Sequence, residues 1–271
     1  MVSQKNELSR KTTRNLSVPQ PLTLVISILL GLAVWQVLYV LLKLPNFILP
    51  SPLMVWQKFV EVVGNGLLWR HFSYTLFEVL LGLLIGTAFA SVLGYILSKS
   101  ASLEQVLSPF LVGTQSIPMV AIAPLLVIWF GPGFFSKVLI CSLTVFFPVL
   151  VNVLVGLRDV PLELHQLMQS MKATPMQTLR YLELPASLPV VLGGMRVGAT
   201  LSVIGAIVGE LVGSDRGLGF LINVGRGQFD TALVFVAVLT LIFLASFLYG
   251  CILLLERQLL GWQTWRRSQK T

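Results

Sequence analysis

Residues 231–255 read TALVFVAVLTLIFLASFLYGCILLL and contain no Asp, Glu, Lys or Arg. A helix needs about 20 consecutive, mostly apolar residues to cross the hydrocarbon core of a bilayer, which is roughly 30 Å thick. This run exceeds that length, so it predicts a membrane-spanning helix.

The composition of the whole chain agrees with a membrane protein. Of its 271 residues, 11% are charged and 55% are hydrophobic, and the mean hydropathy is +0.86. A soluble domain carries about 25% charged residues, so an ordinary water-soluble protein is excluded. The two cysteines, Cys141 and Cys251, lie in apolar runs and indicate neither a disulfide framework nor a metal site built from thiolates.

Five further stretches could cross a membrane in the same way, four of them free of charge and one interrupted only by Arg196. They cover residues 15–42, 79–98, 105–136, 138–157 and 184–209. The sequence therefore predicts an all-α membrane protein with six transmembrane helices within residues 21–258, flanked by cytoplasmic tails over residues 1–20 and 259–271. The first span has a longer apolar core than a signal peptide and no small-residue cleavage pattern after it, so we expect it to stay in the mature protein.

The distribution of Lys and Arg predicts the orientation of these spans. With both termini in the cytoplasm, twelve basic residues fall on the inner side and six on the outer side. Cytoplasmic loops of membrane proteins carry an excess of basic residues, so both termini are expected inside. The net charge of +8 is then mainly a topological bias, with some attraction to anionic lipid, and no nucleic-acid partner is expected.

A short amphipathic helix is predicted over residues 52–63. Its apolar residues fall on one helical face: Leu53, Trp56, Phe59, Val60 and Val63. Such a helix suits the membrane interface, with Trp56 and Trp69 at the depth of the headgroups.

The charge-free run over residues 105–136 is too long for one straight span and contains several prolines. Proline removes a backbone donor and clashes with the preceding turn, so we expect a kink or break near residues 113–118. The neighbouring side chains Gln115 and Ser116 are polar. Two interpretations stay open, a translocation pathway or a kinked structural helix packed in a bundle.

Few charged residues lie within the spans. Glu78 and Lys137 fall near span ends, where the membrane interface would accommodate them, and Glu210 falls at the end of the fifth span. Arg196 lies well inside its segment. It would either line a pathway or pair between subunits, or else snorkel or form a local ion pair.

One sizeable loop faces the predicted cytoplasmic side, residues 158–185, which read RDVPLELHQLMQSMKATPMQTLRYLELP. A first helix is predicted over residues 162–171 and a second over residues 174–182, ending ahead of Pro185. The second helix begins with a capping box, in which Thr174 precedes Gln177 by three residues. Exposed apolar residues on such a loop indicate a protein partner.

This loop resembles the cytoplasmic signature of permease subunits of bacterial ABC importers, Glu-Ala-Ala-x3-Gly-x9-Ile-x-Leu-Pro. The final Leu-Pro matches Leu184 and Pro185, and the isoleucine position is Leu182. The Glu-Ala-Ala positions become residues 166–168, and Lys172 replaces the glycine. Lysine adopts the left-handed backbone conformation at a higher free-energy cost than glycine, because it has a Cβ atom.

The resemblance extends over residues 35–262 and is closest to the branch that imports nitrate, sulfonates, taurine and thiamine-precursor pyrimidines. The supporting stretches are LPSP at 49–52, IPMVAIAPLLVIWFG at 117–131, LPASLP at 184–189, GMRVG at 194–198 and GELVGSDRGLGFLI at 209–222. It implies a type I ABC importer permease fold in the bacterial inner membrane.

The resemblance and the polar residues of the spans together give three sets of candidate site residues. The ATPase-coupling set is Gln166, Met168, Met171, Lys172, Ala173, Thr174 and Gln177. The set expected near the outer gate and the binding protein is Glu210, Arg216, Gly217 and Gly219. Polar residues of spans three to five are candidates for lining the pathway: Gln115, Ser116, Thr144, Asn152, Thr200, Ser202 and, with its charge, Arg196.

The resemblance also implies the partners. No stretch fits G-x-x-x-x-G-K-[ST], so ATP and magnesium are expected on a separate ATPase subunit, and no catalytic residue, cofactor or metal is expected on this chain. A binding protein would deliver substrate outside, and a second copy of the chain would complete a homodimer working by alternating access.

Two other classes of protein are weaker alternatives. A stand-alone secondary transporter or channel often shows internal repeats, and none is found between the halves. A membrane-embedded enzyme would need a catalytic cluster, but His71 and His165 lie far apart in the predicted topology. The resemblance leans towards a thiamine-precursor pyrimidine or a flavin-like compound as substrate, with nitrate, sulfonate or taurine as alternatives.

Overall fold

The structure is a computed structural model that describes residues 20–115 and 117–260. These residues form α-helices and one π-helical turn, with no β-strand among them, which confirms the all-α class. The elements are α1 (Gln20–Leu42), α2 (Pro52–Gly64), α3 (Leu67–Lys99), α4 (Ala101–Gln115), α5 (Met119–Phe130), α6 (Phe134–Arg158), α7 (Leu162–Ser170), α8 (Pro175–Thr178), the π turn (Leu179–Glu183), α9 (Leu184–Gly213), α10 (Leu218–Gly227) and α11 (Thr231–Leu259). Most of the predicted tails, 1–20 and 259–271, lie outside the described residues.

Five segments of the described chain are long and apolar enough to cross a membrane: Val25–Leu42 in α1, α3, α6, the continuous segment Pro175–Gly213 and α11. The predicted third span is instead two shorter helices, α4 and α5, and Ile117 and Pro118 between them are not helical. The break expected from the prolines is therefore present. The count of six spans stays a prediction.

The chain divides into two compact units, one ending at Met54 and the other beginning at Val55. In the first unit, the indole nitrogen of Trp35 donates to the carbonyl of Pro50 at 3.1 Å. This bond ties α1 to the LPSP segment that follows it.

In the second unit, α6 packs against both α3 and α9, and glycines allow the close approach. A Cβ atom added to Gly82 of α3 would lie 2.2 Å from the Cβ of Cys141 in α6. One added to Gly205 of α9 would lie 2.9 Å from the hydroxyl of Thr144. In a bilayer, helices associate mainly through van der Waals packing, and small residues at the contact allow the backbones to approach closely.

The amphipathic helix predicted over residues 52–63 is confirmed as α2. Its Lys58 makes ion pairs with Glu61 at 3.0 Å and with Asp230 at 3.1 Å. The hydrogen bond to Glu61 raises the pKa of Lys58, so the lysine stays charged at neutral pH. Asp230 also caps α11 by accepting from the amide of Leu233 at 3.0 Å, so Lys58 connects α2 to the start of that helix.

Candidate functional site

The turn after α7 is built on Lys172, whose φ is +53°. The amide of Lys172 donates to the carbonyl of Gln169 at 2.9 Å, and the amide of Ala173 donates to that of Met168 at 3.0 Å. These two bonds define a Schellman motif, which usually has glycine at the left-handed position. The replacement of glycine by lysine has therefore kept the left-handed turn.

The predicted capping box at the start of α8 is confirmed. The hydroxyl of Thr174 accepts from the amide of Gln177 at 3.3 Å, and the side-chain oxygen of Gln177 accepts from the amide of Thr174 at 2.7 Å. Pro175 occupies the first turn, where its missing N–H costs nothing. The backbone of the turn between α7 and α8 is thus fixed from both sides.

The prediction that the second helix ends ahead of Pro185 is wrong. α8 passes into a π turn and then directly into α9, which contains Pro185. The amide of Leu184 bonds to the carbonyl of Leu179, five residues back rather than four. This wider turn makes room for the proline ring, which would clash with the carbonyl of an ordinary α-turn.

The 158–185 loop carries an exposed apolar surface. Five side chains on it are 55–70% exposed: Leu162, Leu167, Met171, Met176 and Tyr181. Of the predicted coupling set, Met168 and Ala173 are half-buried and the other five residues are exposed. The fold therefore presents most of the predicted set on the surface of one two-helix loop.

Sequence reasoning missed a group of charged residues that holds this loop to α3, here named the loop junction: Lys99, His165 and Glu183. Glu183 is only 2% exposed, and one of its carboxylate oxygens accepts from the Lys99 ammonium. The same oxygen lies 3.1 Å from Nε2 of His165 in α7. Glu183 occupies the variable position of the Ile-x-Leu-Pro motif, and nothing in the local sequence indicates burial there.

At the other end of α3 and α9, three side chains bind three successive backbone amides at the start of α10. The amide of Gly217 donates to Nδ1 of His71 at 3.0 Å, that of Leu218 to the Thr75 hydroxyl at 2.8 Å, and that of Gly219 to Glu210 at 2.5 Å. The Thr75 hydroxyl in turn donates to the other oxygen of Glu210 at 2.6 Å. We call this group the α10 cap. It satisfies the donors that a helix start leaves unpaired.

Two glycines are required by the α10 cap. Gly217 has a φ of +101°, and a Cβ atom there would lie 2.1 Å from a carboxylate oxygen of Glu210. A Cβ atom on Gly219 would lie 2.8 Å from the Cβ of Glu210. Glu210, Gly217 and Gly219 of the predicted outer set thus meet in one buried cluster. Arg216 stays apart, with its guanidinium 3.6 Å from the carboxylate of Asp215.

Glu78 lies well inside α3, whereas Lys137 lies in the first turn of α6. Their position near the membrane interface stays a prediction. α3 begins at Leu67 rather than near residue 79, so Glu78 lies about three turns inside the helix. Both side chains are fully buried. The Lys137 ammonium donates to the carbonyl of Pro132, and the carboxyl group of Glu78 lies beside that of Glu210 in α9.

The pathway candidates are mostly bonded to their own helices. The side chains of Thr144, Asn152 and Thr200 donate to backbone carbonyls three or four residues earlier, at 2.7, 2.8 and 2.8 Å. Ser202 is buried and donates across to the carbonyl of Val79 at 3.0 Å. The side chain of Gln115 and the whole of Ser116 lie outside the described parts of the structure. A pathway role for these residues stays a prediction.

Arg196 forms a local ion pair, one of the two interpretations left open. Its guanidinium lies 3.1 Å from the carboxylate of Glu256 in α11, and both side chains are partly exposed. Elsewhere in residues 20–115 and 117–260, no group of three or more His, Cys, Asp or Glu residues is arranged to hold a metal ion.

An all-α, multi-pass architecture with a capped two-helix loop defines the class, a membrane-embedded transport subunit. Residues 79–261 match the family described as binding-protein-dependent transport system inner membrane component, and the chain belongs to this family. It is therefore the permease subunit of an ABC importer.

Named relatives agree with this family. The chain is 45% identical over 242 residues to RibX, a riboflavin transport system permease protein of Chloroflexus aurantiacus, covering 89% of this chain and 90% of the relative. It is 32% identical to ThiX, a formylaminopyrimidine transport permease protein of Halalkalibacterium halodurans, covering 87% and 93% of the two chains.

A solved structure shares the fold. A chain of the inward-facing MetNI methionine ABC transporter superimposes with a TM-score of 0.59 at 21% identity, covering 77% of this chain and 99% of that one. The type I ABC importer permease fold expected from the sequence is therefore confirmed.

Proposed function

We propose that this permease imports a flavin-like nutrient and takes its energy from a separate ATPase subunit docked on the 158–185 loop. The observation that carries the proposal is the preformed loop itself, with α7 and α8 joined by a Schellman turn and a capping box. A rigid surface loses little conformational entropy when a partner binds it, which favours a firm mechanical contact.

The exposed apolar side chains of the loop favour a protein partner over water or lipid headgroups. Met171 and Met176 flank the turn and are each 70% exposed. Methionine adapts its shape to a groove, so two of them beside a rigid turn suit insertion into a cleft. ATP and magnesium would then bind to that partner, since this chain has no Walker A motif.

In the working transporter, two copies of the chain would form the pathway, with both termini and the loop on the cytoplasmic side. ATP binding would draw the two ATPase subunits together and push on the loops. The helices joined to each loop would then move between inward-open and outward-open arrangements, which is a shift between two packings driven by differential binding. An extracytoplasmic binding protein would deliver the substrate.

The substrate proposal rests on the relative named for riboflavin transport, to which this chain is 45% identical along most of both chains. The relative named for a thiamine-precursor pyrimidine is more distant, at 32% identity. We therefore place a flavin-like compound first, with pyrimidines, sulfonates, taurine and nitrate as the alternatives to test.

The test is uptake by proteoliposomes that contain the chain, its ATPase subunit and its binding protein. Labelled riboflavin should accumulate only when ATP and all three proteins are present, and unlabelled riboflavin should compete better than formylaminopyrimidine, taurine or nitrate. Uptake of taurine or nitrate without riboflavin would refute the substrate and keep the importer. Uptake by the chain alone without ATP would show a secondary transporter instead.

A further inference from the structure

We infer that α3 and α9 form a rigid antiparallel pair, fastened near both ends by buried carboxylates, which transmits movement from the 158–185 loop to α10. The inference rests on the proposed function, because it assigns the path by which a push on the loop would reach the opposite end of the permease. It makes Glu183 and Glu210 positioning residues for transport.

The fastening at the loop end is the loop junction. Glu183 precedes α9 directly, and its carboxylate holds Lys99, the last residue of α3. The ammonium of Lys99 also lies over the ring of Tyr95, 5.3 Å from its centroid, which restrains the lysine on its own helix. Through His165 the same carboxylate reaches α7. A displacement of α7 therefore acts on both long helices at once.

The fastening at the far end is the α10 cap. Glu210 of α9 binds Thr75 of α3, and both side chains are fully buried. The same two side chains hold the amides of Gly219 and Leu218. α10 therefore cannot leave its position without breaking one hydrogen bond to α3, at Thr75, and one to α9, at Glu210.

The positions of these contacts show that α3 and α9 run antiparallel. From Glu183 to Glu210 the chain advances 27 residues, and from Lys99 back to Thr75 it retreats 24 residues. Between them, Ser202 of α9 donates to the carbonyl of Val79 in α3. At 1.5 Å per residue the two end contacts lie about 36–40 Å apart, which exceeds the roughly 30 Å hydrocarbon core.

Burial explains why these contacts would resist sliding of one helix along the other. A one-turn slip would leave the carboxylates of Glu183 and Glu210 without their donors in a medium of low dielectric. A buried polar group that loses its hydrogen-bond partner bears a desolvation penalty. The exposed pair of Lys58 with Glu61 has no such constraint, because water can replace either partner.

The test uses the complete transporter in nanodiscs and measures the ATPase rate with and without loaded binding protein. Glu183→Gln removes the negative charge that holds Lys99 at the loop junction, and Thr75→Val cuts the α10 cap. Each should leave the basal rate within about twofold and reduce the stimulation by binding protein at least about fivefold. Because both contacts act along one path, the double variant should lose no more stimulation than the more strongly affected single variant. Thr75→Ser, which keeps the hydroxyl, should restore stimulation.

Two matched controls remove similar groups elsewhere. Glu61→Gln removes an exposed carboxylate in α2, and Thr240→Val removes a hydroxyl that bonds only within α11. Both should behave like the unmodified chain. Should Glu183→Gln fail to fold, Lys99→Gln cuts the same contact from its more exposed side.

Wild-type stimulation in Glu183→Gln and Thr75→Val would overturn the inference while leaving the importer intact. Parallel loss of basal and stimulated rates would also overturn it, because that pattern marks general destabilisation. An unmodified complex that does not respond to any loaded binding protein would refute the proposed function, and the inference with it.

Discussion

The two ends of the α3–α9 pair are held together by different kinds of contact. At the α10 end, Thr75 and Glu210 are fully buried, bond to each other and accept from the amides of Leu218 and Gly219. At the loop end, Glu183 is buried but its partner Lys99 has 46% of its side chain exposed. Both contacts are anchored by a buried carboxylate, but only the loop end has a partner that water can reach.

The two kinds of contact differ in the free-energy cost of breaking them. A buried hydrogen bond that loses one partner leaves the other unsatisfied, at a cost of about 1–3 kcal/mol. An ion pair with an exposed lysine can exchange its partner for water at a smaller cost. Damage at either end should therefore lower coupling, and damage at the α10 end should lower the thermal stability more than damage at the loop end does.

The largest effect is expected at the α10 end from Gly217→Ala. Its backbone conformation is accessible almost only to glycine, and the added methyl group would overlap the Glu210 carboxylate. Strain and overpacking together should cost about 3–5 kcal/mol. Thermal unfolding in detergent can be monitored by the labelling of the Cys141 thiol, which is buried in the folded chain. It should show a large fall in Tm or no folded protein. Gly227→Ala, which meets open space, is the control.

The next effect compares the two carboxylates directly. Glu210→Gln loses one of two acceptors that are both in use, so we expect a loss of about 1–3 kcal/mol. Glu183→Gln should cost less, because its partner Lys99 is partly exposed and water can take the place of the lost ion pair. The same thermal assay on both variants checks the order. Equal losses would mean that the two ends do not differ in rigidity.

A smaller effect is expected from the caps of the 158–185 loop. Thr174→Ala removes the acceptor for the amide of Gln177 and should destabilise α8 by about 1 kcal/mol. Transport-coupled ATPase activity should fall while Tm stays nearly constant, since the loop is exposed. Thr174→Ser keeps the cap and serves as the control. Unchanged stimulation by loaded binding protein in Thr174→Ala would contradict the placement of the coupling surface.

The smallest effect is expected from Lys172→Gly. Glycine adopts the left-handed conformation without the penalty that lysine pays, so the turn should gain up to about 1 kcal/mol. Hydrogen exchange at the amides of Lys172 and Ala173, which close the Schellman motif, should slow. Lys172→Ala separates charge from conformation, because it removes the ammonium and keeps the strain. Faster exchange in Lys172→Gly than in the unmodified chain would refute the conformational account.

Much of this architecture could be predicted because it depends on local sequence. The apolar runs, the break among the prolines near residue 116 and the capping box at Thr174 each depend on residues within a few positions of one another. The helix continuing through Pro185 could not be predicted from the proline alone, because a widened turn removes the clash that proline usually causes.

The parts that could not be predicted depend on contacts distant in sequence. Thr75 and Glu210 are 135 residues apart, and Lys99 and Glu183 are 84 apart. Nothing near Glu183 distinguishes it from an exposed acidic residue. The helix α3 begins earlier than its apolar run and includes Glu78, which other helices bury. For Glu210, the RGLG turn at residues 216–219 does indicate a close contact, since its glycines permit a carboxylate to approach the backbone.

The most direct test of the central claim replaces the loop junction by a covalent link. Lys99→Cys with Glu183→Cys, with Cys141→Ala and Cys251→Ser, gives two neighbouring thiols that a reducible bifunctional thiosulfonate can join. If α3 and α9 move as one rigid pair, the uncoupled double variant should regain stimulation by binding protein when cross-linked and lose it on reduction. Cross-linking that instead blocks ATPase stimulation and transport, with recovery on reduction, would show that the helices must slide and would contradict the account.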